Sequence, residues 1–150
     1  MALTLLSNIA AAESIRIDVS STAAMTRAAA ATISSPDAPL AQIGAALAYN
    51  LALSFPADAP SLDVSADAAG GWEDLLISAL GALPSQTDGE VVARLLCTIG
   101  QLIIRFGDEA LVIAISLDAG STLDAQVVRG AQPGGAVWRS LVQEVRALLG

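Results

Sequence analysis

A lone thiol, an acidic loop, a row of guanidinium and amide donors and a pair of asparagines are the residues of this chain whose types and spacing could do chemistry. Cys97 has no histidine to activate it, because the chain contains none, and a thiol without an adjacent base or cation stays largely protonated at neutral pH. The serines lack the same partner and none sits in a Gly-x-Ser-x-Gly elbow, so a Cys-His nucleophile is excluded and a hydrolase is a weak reading for want of catalytic groups. Asp63, Ser65, Asp67 and Asp74 follow the first, third, fifth and twelfth positions of a calcium loop, but Ala68 stands where that loop needs glycine and Asp74 where it needs glutamate. The stretch therefore reads as a solvated acidic loop, and no His/Cys metal set can be assembled. With catalysis and metal binding set aside, the donors remain, and their chemistry is recognition.

Arg94, Gln101 and Arg105 share one edge of a helical wheel, where a planar guanidinium fork and an amide could take a carboxylate or a peptide main chain. Asn50 falls among Ile43, Leu47, Leu51 and Ser54, so its amide must find partners, either a structural bond to a neighbouring loop or the backbone of an extended ligand. Asn8 sits in a similar context. The candidate peptide-binding residues are thus Arg94, Asn50, Asn8, Gln101 and Arg105.

These residues are carried by apolar helical segments that repeat. Leu3–Ala12 holds Asn8 near its centre, Ala45–Ser54 holds Asn50, and Leu95–Ile104 has Gly100 at the matching place, the steps being about 42 and about 50 residues. Steps of that size belong to armadillo and HEAT units, which cannot bury their apolar faces alone and stack. The prediction is an all-α, armadillo/HEAT-like right-handed solenoid of about three repeats in a single domain over residues 1–150. Along it, Leu40–Phe55 forms a helix entered at Pro39 and closed by Pro56, 57–71 is a loop, and Trp72–Leu83 is a helix ended by Pro84. From Asp88 to Phe106, Val91, Val92, Leu95, Leu96, Ile99, Leu102, Ile103 and Phe106 line one face. Glu90, Arg94, Cys97, Thr98, Gln101 and Arg105 form an opposite polar stripe facing out. Gly107 breaks this helix before a short apolar one to Ser116, and Gly135–Leu149 caps the stack. Two helices divided near Ser20-Ser21 are expected between Glu13 and Ile33.

Composition bounds the partners. A hydrophobic fraction of 54 % with only 3 % aromatic residues suits close helix packing. A net charge of −8, with arginine as the only base, opposes a nucleic-acid partner. Acids are concentrated in residues 56–90 and three arginines in residues 125–150. One cysteine allows no internal disulfide and fits a reducing compartment. No base precedes the apolar N-terminus as a secretory signal requires. The uncharged stretch Ala38–Ala57 is interrupted by Pro39, Gln42, Asn50 and Pro56, which favours a buried repeat helix over a membrane span.

Gln42-Ile43-Gly44-Ala45-Ala46-Leu47-Ala48-Tyr49-Asn50-Leu51-Ala52 and Glu90-Val91-Val92-Ala93-Arg94-Leu95-Leu96-Cys97-Thr98-Ile99-Gly100-Gln101-Leu102, followed by Gly107-Asp108-Glu109-Ala110 and the helix to Leu117, resemble the PUL domain. This is the C-terminal armadillo-like module of the phospholipase-activating-protein family of ubiquitin-pathway adaptors. The resemblance implies a non-enzymatic interaction module without cofactors, working in the cytoplasm or nucleus. Its implied partner is the acidic C-terminal tail of a valosin-containing-protein-type AAA+ ATPase, received by basic residues. Arg94, in the family's Arg-Leu-Leu sequence, is the residue it carries over. The family domain has about six repeats where this chain has length for three or four, which implies the C-terminal half of the domain and self-association through an unstacked Leu3–Ala12. Fold alone leaves open an armadillo-like scaffold for an unrelated peptide or protein.

Overall fold

The computed structural model describes residues 19–55, 71–130 and 136–150. Asn8, the Leu3–Ala12 segment, Asp63, Ser65 and Asp67 of the calcium-like loop and nearly all of the predicted 57–71 loop lie outside them. Six helices follow in chain order: α1 (Val19–Ile33), α2 (Ala38–Ser54), α3 (Trp72–Ala82), α4 (Gly89–Ser116), α5 (Ala119–Gly130) and α6 (Ala136–Leu148), with a 3-10 turn, Leu83–Ser85, after α3. No strand occurs among the described residues.

The contacts order these helices into three pairs and two rows. Within pairs α1 packs on α2, α3 on α4 and α5 on α6. Along one row α2 packs on α4 and α4 on α6, and along the other α1 packs on α3, whose 3-10 turn then meets α5. Stacked pairs that touch chiefly their neighbours are the organisation expected of a solenoid. The predicted all-α, solenoid-like fold is therefore what the described residues adopt, as about three units.

Local sequence explains the helix limits. Pro39 lies in the first turn of α2, where a missing N–H costs nothing. Asp88 caps α4, its carboxylate accepting from the N–H groups of Glu90 and Val91 at 2.9 and 3.1 Å. Gly107 takes φ +52°, ψ −125°, open to glycine and hostile to side chains, and kinks α4 between its apolar first limb and the limb ending at Ser116. Gly44 has a packing reason. A Cβ there would stand 2.3 Å from Thr32 Oγ1 and 2.9 Å from the Ile33 nitrogen, so its bare Cα lets the end of α1 lie against α2.

One buried cluster runs through all the helices, with Leu47 and Leu51 of α2, Leu75 and Leu76 of α3, Leu95, Ile99 and Leu102 of α4, Leu123 of α5 and Val142 of α6 at its centre. Trp72 stacks on Phe106 with centroids 4.2 Å apart, and Phe55 meets Phe106 edge-on, tying the end of α2 to α3 and α4.

Helix α1 runs from Val19 through both serines, and residues 13–18, on which the boundary expected near Ser20-Ser21 turns, lie outside those described. Two sequence expectations need correction. Helix α5 was not foreseen at all. The outward polar stripe of α4 is not outward as a whole: Thr98 is fully buried and donates to the Arg94 carbonyl at 2.8 Å, while Arg94 and Arg105 are only half-exposed.

Candidate peptide-binding face

The repeat fixes which residues occupy equivalent places, and burial fixes it more sharply than sequence did. Laying the N-cap Asp37 of α2 on the N-cap Asp88 of α4 places Ala41, Gly44, Ala45, Leu47, Ala48, Leu51 and Ala52, all buried, on Val92, Leu95, Leu96, Thr98, Ile99, Leu102 and Ile103, all buried. Matching Asn50 with Gly100 breaks this agreement. Gly100 is instead where α6 approaches, since a Cβ there would lie 3.3 Å from Val145 Cγ2. In the structural register Asn50 corresponds to Gln101 and both are half-buried; Leu53 corresponds to Ile104 and both are exposed; Ile43 corresponds to Arg94. Each of these two helices thus presents an amide and, one turn on, an apolar side chain along its free edge. The sequence signal for the Asn50–Gln101 match is the pair of aspartates at the two N-cap positions, of which Asp88 alone bonds helix N–H groups through its side chain.

The two arginines of α4 hold α2 at both ends. Arg94 Nη1 donates to the Gln42 carbonyl at 3.0 Å, and its Nη2 is paired with Glu90 Oε1. Gln42 in turn donates from Nε2 to Asp88 Oδ2 at 3.0 Å, closing a ring of polar contacts between the two helix starts. At the other end Arg105 Nη1 donates to the carbonyls of Leu53, at 2.9 Å, and of Phe55. These are carbonyls that the end of a helix leaves without intrahelical donors, in a segment with no glycine cap. Arg105 is therefore a capping residue of α2 as well as a candidate for the face. Gln101 and Asn50 lie between the two clasps along the row.

Electrostatics along this face are mixed. The N–H of Val91, the Gln42 amide and the N–H of Glu90, with Arg94 nearby, hold the Asp88 carboxyl below the usual carboxylate range. Burial, reinforced by Glu144 of α6, pushes the Cys97 thiol up. That is the opposite of an activated nucleophile, and it places Glu144 on the same side of the row as Cys97. Arg139, Gln143 and Ala147 of α6 are exposed. No group of three or more metal-ligating side chains comes together among the described residues, and no helix of the described chain is long and apolar enough to cross a membrane. A cleft of about 280 Å³ opens beside the starts of α2 and α4, lined by Ser34, Ser35, Pro36, Ser85, Gln86 and Asp88 among others. No basic side chain lines it, and neither Asn50 nor Gln101 does.

The arrangement offers what main-chain recognition needs: amides at repeat spacing, apolar seats beside them and one pinned guanidinium. No curated protein and no solved structure matches the chain in comparison. The family model described as the PUL domain matches residues 1–132, which takes in α1 to α5 and leaves α6 beyond the matched range. The two stretches that carried the resemblance are α2 and the first limb of α4, the helices that form this face, and the chain belongs to the PUL domain family, a family of protein-interaction modules.

Proposed function

We propose that the free edge of the α2–α4–α6 row receives an extended peptide, and that the ligand is the acidic C-terminal tail of a valosin-containing-protein-type AAA+ ATPase, in ubiquitin-dependent protein turnover in the cytoplasm or nucleus. The observation that carries the reading is the equivalence of Asn50 and Gln101. Two amides repeated at the same place on successive helices suit the repeating donors and acceptors of a peptide backbone. Leu53 and Ile104 beside them would seat apolar side chains, and Arg94 would take a carboxylate. Family membership supports protein binding, and the acidic tail is the partner that the resemblance implies.

The test is titration of a synthetic acidic tail peptide against a charge-matched scramble. Specific binding of the tail alone is expected. Arg94→Ala should weaken it by about 1.5–3 kcal/mol, the range of a hydrogen bond to a charged group, and Arg94→Lys should restore only part, lacking the planar fork. Because Arg94 also grips the Gln42 carbonyl, each variant needs an unfolding curve beside its isotherm. Arg146→Ala is the control: its exposed pair with Asp124 at 3.2 Å lies at the other end of the stack. Equal affinity for tail and scramble would leave a general scaffold and remove the tail-specific reading.

A further inference from the structure

Arg94 is held in two ways of unequal permanence. Its Nη1 donates to a main-chain carbonyl of the neighbouring helix, Gln42, at 3.0 Å. A carbonyl inside α2 cannot swing away, so the guanidinium plane is pinned and the Nη2 edge faces Glu90. Glu90 is the looser partner. Its side chain is 56 % exposed against 35 % for Arg94, and nothing else in the helix start depends on it. Asp88 supplies the cap, and the Glu90 N–H is itself satisfied by Asp88 Oδ1 at 2.9 Å. Asp88 cannot replace Glu90 at the arginine, because its two oxygens are engaged by Val91 and Glu90 nitrogens and by Gln42.

We propose that Glu90 is an internal stand-in for the ligand: its carboxylate occupies the Nη2 edge of Arg94 in the free protein and is exchanged for a carboxylate of the acidic peptide on binding. The inference rests on the peptide-binding reading above and names the residue that sets its affinity and charge selectivity. Exposed ion pairs are weak because water screens them, so the internal carboxylate yields to a ligand that also engages Gln101 and Asn50, but not to a simple acid. An isolated acidic side chain gains nothing by the exchange. A segment combining acids with an extended backbone does, and the pair filters for it.

The experiment is a double-mutant cycle on the full chain, read by titration of the same acidic tail peptide at low salt. Glu90→Gln should tighten binding by about three- to tenfold, the scale of releasing one exposed pair together with one repulsion. Glu109→Gln, an equal charge change at an exposed site past the Gly107 kink, should shift it by less than about twofold. In an Arg94→Ala background the gain from Glu90→Gln should shrink to what the relieved repulsion alone gives, about twofold or less, because there is no guanidinium left to release. A Glu90→Gln variant that binds as the unaltered protein does would overturn the exchange while leaving the peptide face intact. So would a gain of the same size in the Arg94→Ala background, which would make Glu90 a simple repulsive charge. Absence of tail binding by every variant, with unfolding curves intact, would overturn this inference and the peptide-binding reading together.

Discussion

Thr26 is fully enclosed in α1, yet its hydroxyl has no hydrogen-bond partner. A buried hydroxyl without a partner opposes folding, so Thr26→Val, nearly equal in shape, should stabilise the protein by about 1 kcal/mol, measured by denaturant unfolding. Thr98, equally buried but bonded to the Arg94 carbonyl, should show no such gain. Asp88 gives a second prediction at this scale. Because its carboxyl is held below its ordinary value in the folded chain, its contribution is full at neutral pH and is lost as pH falls through the ordinary carboxylate range toward the folded value. Asp88→Asn keeps a capping oxygen but cannot titrate. Its melting temperature should therefore fall less steeply than that of the unaltered protein between about pH 5 and pH 2, and parallel curves would contradict the cap's electrostatic role. Sequence showed that Arg94, Gln101 and Arg105 share a helix edge, but a wheel gives an angle and not a neighbour. That two of the three hold α2 was legible only in part, from an α2 end of Ser54-Phe55-Pro56 with no glycine or base to satisfy its last carbonyls.

At the scale of elements, cross-helix polar contacts recur at repeat spacing. Gln86 donates to the Ile33 carbonyl at the end of α1, Arg105 to the end of α2, and Gln126 and Arg129 to the Leu83 and Pro84 carbonyls after α3, at separations of 43 to 53 residues. Each helix end in this set is finished by a long side chain from about one unit further along the chain, which couples neighbouring units beyond their apolar contact. Arg105→Ala should therefore cost about 1.5–3 kcal/mol and, more specifically, raise amide exchange in the last turn of α2. Arg146→Ala, losing an exposed pair, should cost less than about 1 kcal/mol. A uniform rise in exchange across all helices would contradict a local capping role. The helices α2, α3, α6 and the kinked α4 were legible because their apolar residues recur at helical spacing between proline, glycine and aspartate stops. Helix α5 escaped because glycines at 120 and 130 and a mostly polar surface disguise the short Ala119, Leu123, Val127 stripe.

For the whole molecule, the repeat step from α2 to α4 is set by burial, with Asp37 and Asp88 at the two N-cap positions, and it pairs Asn50 with Gln101 and not with Gly100; the step from Asn8 lies outside the described residues. That one-residue change turns a structural coincidence into a surface, because the amides and the exposed Leu53 and Ile104 then line one edge of successive helices. The opposite row, α1, α3 and α5, carries no such repeated pair among the described residues and should not respond to ligand. Backbone amide NMR shifts recorded while the acidic tail peptide is added test the central claim most directly. The account predicts perturbations concentrated at Asn50, Leu53, Arg94, Cys97, Gln101 and Ile104, with α1, α3 and α5 silent and the scrambled peptide without effect. Perturbations confined to the α1–α3–α5 row, or the same pattern from the scramble, would contradict it.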